Sequence, residues 1–379
     1  MGVFRVLLAL AVILAHTGKL FGLGLIGGVT AVQTFYMISG FYMSLILNEK
    51  YTGENAYRLF IFNRFLRLFP TYWVVLLLTV VVCSISYWTS HNALILQTWI
   101  TQGRHLQIVP AFFLLLTNLI IFGQDIVMFL GVNAPKGSLY FTHDLTTSPI
   151  PAHNYLAIPQ AWSLGVELLF YLIAPFIVRQ SLKRIGLIIL LSVTIRAVLA
   201  MSGFYLDPWL YRFFPSELSL FLLGAVAYHI YCRVRETPLK PWQKYAPLFI
   251  LFGCTLAFQF IHFATVLRHT IYYGIIFACL PFVFNATRHS RWDRLVGELS
   301  YPIYICHMLV IAVVQACFPT LQQTAESWFV LICCVVTFAI AGVITWQVVE
   351  PMEQYRQRRV QKSADPSAIV LKVEYGQLT

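Results

Sequence analysis

Apolar runs of about 18 residues or more recur from one end of this chain to the other, each long enough to cross a hydrocarbon core of roughly 30 Å as a helix. Nothing else in the sequence narrows the fold as far. A bilayer offers no partner to an unpaired peptide group, so a chain built of such runs satisfies its backbone within helices. The expected fold class is all-α integral membrane. Composition agrees: of 379 residues, 59% are hydrophobic and 11% charged, against roughly a quarter charged in an ordinary soluble domain. One polytopic membrane domain over residues 1–353 is expected, with a charged, partly disordered cytoplasmic tail over 354–379.

The runs predict ten transmembrane helices, over 4–23, 27–48, 70–90, 160–178, 185–203, 213–232, 245–262, 270–287, 296–316 and 327–348. The first lacks a small-residue cleavage site and carries Arg5 and His16, so it stays on as a helix rather than being removed as a signal peptide. A net charge of +11 raises the question of nucleic acid, but the basic residues sit in short clusters between apolar spans, which is the signature of topology and speaks against a nucleic-acid partner. With the N-terminus cytoplasmic, 20 of the 26 Lys and Arg fall on the inner side, so both termini are expected in the cytoplasm. Residues 111–122 (AFFLLLTNLIIF) are apolar but too short to span, and predict a re-entrant or interfacial helix within a large outer loop over 91–159. Eight cysteines fall mostly inside apolar runs without paired spacing, so neither a metal site nor a disulfide framework is expected.

Four segments carry residues that are expensive in a membrane. Arg5 and His16 in FRVLLALAVILAH are eleven residues apart, which on a helix returns to within about 20° of the starting direction at a separation of roughly 16 Å. One face therefore presents a guanidinium, suited to a phosphate, and an imidazole, suited to take a hydroxyl proton. A snorkelling arginine and a core histidine explain the same pair without function. Glu167 lies inside a span and shares a polar stripe with Ser163 and Tyr171 at i−4 and i+4. It suits orienting His16 or an acceptor hydroxyl, or a structural ion pair with Arg196. Arg64 and Arg67 stand one turn apart before a helix expected to begin at Pro70, which suits a phosphate cradle or simply anionic lipid heads. Tyr301, Tyr304 and His307 recur at every third position and share a face that can line a cavity. Ser39 with Gly40 suits close helix packing, and Arg212 with Glu217 a surface ion pair.

Taken in chain order, these segments resemble the membrane acyltransferase-3 family of carbohydrate O-acyltransferases. Arg5 and His16 are similar to its arginine, ten residues, histidine motif; FYMISGFYMS, holding Ser39, resembles its aromatic-rich Ser-Gly-Phe segment; RFLRLFPTYW resembles its basic stretch ending in proline and an aromatic. AWSLGVELLFYLIAP, with Trp162, Ser163, Glu167 and Tyr171, resembles its Trp-Ser-Leu-x-x-Glu segment, and LSYPIYICH its Ser-Tyr-x-x-Tyr-x-x-His segment. Two departures are visible: Met1 stands almost at the first motif, and the extra hydrolase-like domain of some members has no counterpart.

The resemblance implies an O-acyltransferase, with acetyl-CoA or another acyl-CoA as co-substrate rather than a bound cofactor, and a hydroxyl of a lipid-linked or envelope carbohydrate as acceptor, in a bacterial inner membrane. It implies Arg5, Arg64 and Arg67 on the donor phosphates, His16 as general base and Glu167 beside it, with Ser39, Trp162, Ser163, Tyr171, Tyr301, Tyr304 and His307 lining the cavity. Membrane lipids are the remaining partner. Two other classes stay open: a glycan or anion transporter using His16, Glu167 and Arg196 as a proton relay, and a non-catalytic scaffold in a polysaccharide assembly.

Overall fold

Each apolar run is helical in the computed structural model, which describes residues 1–363 apart from positions 54, 146, 205, 206 and 239. In chain order the helices are α1 (Gly2–Thr17), α2 (Gly28–Glu49), α3 (Ala56–Ser90), α4 (Gln97–Gln102), α5 (Ile108–Ile120), α6 (Gln124–Val127), α7 (Trp162–Ile177) and α8 (Leu182–Met201). They continue with α9 (Phe214–Val234), α10 (Pro241–Ala257), α11 (Thr265–Thr287), α12 (Arg291–Glu298), α13 (Ser300–Cys317), α14 (Leu321–Thr324), α15 (Glu326–Ile344) and α16 (Glu350–Ser363). Strands β1 (Leu130–Asn133) and β2 (Ser138–Phe141) form an antiparallel hairpin with Leu130 opposite Phe141.

Among the described residues eight helical stretches, rather than ten, are long and apolar enough to cross a membrane. The expected span 4–23 ends at Thr17, where Gly18 takes φ 118° and breaks the helix. The expected span 245–262 becomes the 17-residue α10, which ends at Ala257. The chain is an integral membrane protein: α8 buries only Ile185 and Ser192 and turns Leu187, Leu190 and Leu191 outward, an outer surface that water does not tolerate over a whole helix.

The interior is set by close helix crossings. A Cβ at Gly40 of α2 would stand 1.8 Å from the Phe221 carbonyl oxygen of α9, and one at Gly224 of α9 would stand 1.9 Å from that of Met37 in α2. The two backbones meet because each offers glycine at the crossing, as membrane helices do where apolar attraction alone cannot hold them. Gly2 of α1 and Gly297 of α12 make a similar approach. There the Asp293 carboxylate accepts from the Gly2 and Val3 amides at 2.7 and 3.0 Å, meeting the free donors and positive end of α1. This seats Arg5 over α12.

Helix α3 corrects a second expectation. It does not begin at Pro70 but runs unbroken through it, for 35 residues, or roughly 52 Å at 1.5 Å per residue. The proline removes one backbone bond, a loss that neighbouring helices absorb in a membrane bundle. Arg64 and Arg67 therefore lie mid-helix, on a stretch longer than a bilayer core.

The 91–159 segment is built rather than loose. Asn118 of α5 donates to the Leu114 and Tyr155 carbonyls at 2.8 and 2.9 Å and accepts from the Ala157 amide at 2.7 Å. Trp99 of α4 donates to the Tyr155 carbonyl at 2.7 Å. Helix α5 buries Pro110, Leu114, Thr117 and Asn118, packs Phe113 against the core and turns Ile108, Val109, Phe112, Leu115, Leu116 and Leu119 outward; at 13 residues it is roughly 20 Å long.

Candidate functional site

Helices α1, α2, α3, α7, α12, α13 and α16 enclose a cavity of about 500 Å³. At its open end stand Arg5 from α1, Arg64 and Arg67 from α3, and Arg356 from α16. Lys50, Arg288 and Arg294 complete the basic rim. Against these seven cations the wall holds four carboxylates, Glu167, Asp293, Glu298 and Glu353, an excess of three positive charges in a space narrowed by low-dielectric walls. Such a cleft concentrates a polyanion. Arg64 is 6% exposed and lies 5.8 Å from the ring centroids of both Phe60 and Tyr171.

The deep end carries hydroxyls. Glu167 accepts from Ser39 at 2.5 Å and from Tyr171 at 2.6 Å, so α2 and α7 are joined through one carboxylate. Ser163 lies 2.6 Å from the Tyr304 hydroxyl, oxygen to oxygen, which itself donates to the Gln160 carbonyl at 3.0 Å. Tyr301 donates to the Leu68 carbonyl at 2.8 Å. All six of these residues, Ser39, Ser163, Glu167, Tyr171, Tyr301 and Tyr304, line the cavity.

His16 does not. It sits at the far end of α1, exposed, with its ring 5.4 Å from that of the fully buried His307. His307 is in turn 5.9 Å, ring to ring, from Tyr304. Because a carbonyl can only accept, the His307 Nδ1 that stands 2.7 Å from the Tyr304 carbonyl carries the proton. Its Nε2 is a lone pair without a partner among the described residues. One layer of side chains, Tyr304 and His307, thus separates the cavity's blind end from His16. Glu167 is not bonded to His16; its bonds go to Ser39 and Tyr171.

Trp162, at the start of α7, also lies away from the cavity, with the Arg212 guanidinium 4.3 Å over its ring and Tyr211 edge-on at 4.7 Å. Arg212 pairs with Asp207 at 2.6 and 2.7 Å, not with Glu217 as expected. Glu217 is fully buried and is held instead by Gln33, at 3.0 and 3.1 Å, and by Arg196. That correction removes Arg196 from any pairing with Glu167. Two titratable residues of the 91–159 segment have altered acidity. Burial pushes the Asp125 carboxyl up to about 6, tempered by the amides of Asp125, Ile126 and Gly123. Burial, reinforced by the Arg212 charge, pulls His153 down to about 4.

A profile described as an acyltransferase domain, that of the acyltransferase-3 family, matches residues 1–346. The chain belongs to the acyltransferase-3 family. An uncharacterized protein of Aquifex aeolicus (strain VF5) is 24% identical over 223 residues, covering 56% of this chain and 94% of the relative. No solved structure matches. This integral membrane acyltransferase therefore has the cation-rimmed mouth of its cavity and its His16 at opposite ends of α1. Sequence reasoning passed over four of the seven rim cations: Lys50, Arg288, Arg294 and Arg356. Each follows a span, where a basic residue reads as topology; the signal left unused was their number at one end of the bundle.

Proposed function

We propose that this acyltransferase is an O-acyltransferase that takes an acyl group from acyl-CoA, acetyl-CoA first among them, and places it on a hydroxyl of a lipid-linked or envelope carbohydrate. The single observation that carries the reading is the cavity: a basic rim suited to phosphates, leading to hydroxyl groups one side-chain layer from a histidine. Arg5, Arg64 and Arg67 would hold the CoA phosphates, since a guanidinium fork matches a phosphate bidentately. The pantetheine arm would then lie along the cavity with its thioester beside Ser39, Ser163 and Tyr304.

In the transfer itself the acceptor oxygen bonds to the thioester carbonyl carbon as the C–S bond breaks. The hydroxyl proton passes to His16, and from there to the departing thiolate, so the step needs no further reactant. Passage of the thioester requires the Tyr304 side chain to swing aside from Ser163. Glu167, holding Ser39 and Tyr171, positions the deep wall. The basic rim faces the cytoplasm in this reading, as the Lys and Arg bias along the chain supports, and His16 opens toward the outer face, where the acceptor enters; the membrane is a bacterial inner membrane.

The test is transfer of label from [14C]acetyl-CoA to a glycan fraction by the purified protein in nanodiscs. Label in the glycan together with stoichiometric free thiol supports the reading. Glycan uptake into vesicles without any thiol release would replace it with transport.

A further inference from the structure

We infer that α16, which lies beyond the family-matched residues 1–346, is a working wall of the donor cavity, and that Arg356 on it grips a donor phosphate together with Arg64 and Arg67. The inference rests on the cavity being an acyl-CoA site. Arg356 is 7% exposed, lines the cavity, and leaves its Nε without a hydrogen-bond partner among the described residues. Arg64, 6% exposed, likewise leaves its Nε unpartnered, and no carboxylate stands within ion-pair distance of it among the described residues. Arg64 and Arg67 both act electrostatically on Arg356, so the three form one cluster.

The counter-charge is short. Glu353 binds Arg356 at 2.5 Å and Glu298 reaches Arg67 at only 3.9 Å. Three guanidiniums therefore share two carboxylates. Buried like charges with open donors are costly unless a further anion joins them. A phosphate supplies both the charge and the acceptor oxygens, in the planar geometry arginine favours. An arginine that only set topology would extend to water along its stem, whereas this one points into the cavity wall.

The path of the chain shows how α16 gets there. Between α15 and α16 the residues Thr345–Val349 form a π-helical turn, a local widening that turns the following helix to a new face and recurs at functional sites. Helix α16 then docks on α3, with the Arg359 guanidinium 4.1 Å over the Phe62 ring and Val360 against the apolar core. Arg359 thus serves the docking and not the cavity; the neighbouring Arg358, exposed and outside the cavity lining, is the natural control.

The test is calorimetric titration of the full-length protein in detergent with CoA, comparing wild type with Arg356→Gln, Arg356→Lys and Arg358→Gln. Loss of a charged hydrogen bond corresponds to about tenfold to a hundredfold weaker binding. That loss is expected for Arg356→Gln, with Arg356→Lys between it and wild type, since lysine keeps the charge and loses the fork, and with Arg358→Gln near wild type. Wild-type affinity in Arg356→Gln overturns the inference, as do equal losses in Arg356→Gln and Arg358→Gln, which would mean bulk charge alone. Should Arg356→Gln fail to elute as a folded protein, Arg356→Lys decides: wild-type affinity there overturns the inference and intermediate affinity supports it. No CoA binding by wild type overturns the donor reading itself and the inference with it.

Discussion

Glu167 joins two helices through two short bonds, from Ser39 and Tyr171, and its charge is what both hydroxyls point at. Glu167→Gln keeps the shape and removes the charge. If the carboxylate shapes the reacting end of the cavity, kcat for acyl transfer falls about a hundredfold while KM for the donor stays within about twofold; a wild-type kcat would remove Glu167 from the chemistry. Asp125 gives a different kind of test. Its carboxyl is buried and its folded-state pKa is pushed up to about 6, so the folded protein holds this proton more tightly than the unfolded chain does. The sign follows: the contribution is fully present below about pH 4, is lost as pH rises through about 6, and amounts to roughly 3 kcal/mol for a shift of this size. Asp125→Asn should therefore raise the melting temperature at pH 8 and flatten its fall between pH 4 and 6; an unchanged pH profile would show that Asp125 is not the group responsible.

At this scale the sequence was legible where one helix carries the argument. Arg5 and His16 share a face by arithmetic alone, and Ser163, Glu167 and Tyr171 by their four-residue spacing. Partners across helices were not legible. Arg212 was matched with the nearest carboxylate in a later helix, but Asp207 stands five residues away across a loop and reaches it first. Arg196, a lone charge inside a span, had to find a buried acid; it was matched with Glu167 and found Glu217 instead.

Among the elements, the α2–α9 crossing is the least forgiving. A side chain at Gly224 would meet the Met37 carbonyl at 1.9 Å, and a backbone oxygen cannot rotate away as a side chain can. Gly224→Val should destabilise the fold by about 3 kcal/mol or more, read as lost monodisperse protein after detergent extraction; a variant as stable as wild type would mean that the two helices part easily. The reason to expect otherwise is visible in the sequence only in half: Ser39–Gly40 reads as a packing pair, but its partner Gly224 lies in a helix with nothing local to mark it. Helices α3 and α15–α16 were misread at their ends for a shared reason. Proline reads as a start and a charged stretch reads as a tail, yet both helical stretches are longer than a bilayer core needs, and their ends supply three of the seven rim cations, Arg64, Arg67 and Arg356. Hydropathy registers only the part of a helix that lipid surrounds.

Over the whole molecule, the cavity opens at one end of α1 and His16 stands at the other, with Tyr304 and His307 between. A membrane enzyme arranged this way can draw its donor from one compartment and its acceptor from the other without a carrier. The account needs both halves to be separable: the basic rim binds the donor, and His16, outside the cavity wall, serves only the transfer. The measurement that tests this most directly is made on His16→Ala in nanodiscs, titrating CoA by calorimetry and following free thiol from acetyl-CoA in the presence of the glycan fraction. The account predicts wild-type affinity for CoA and a thiol-release rate lower by about a hundredfold or more. Thiol release at the wild-type rate in that variant, with label reaching the glycan, would contradict it.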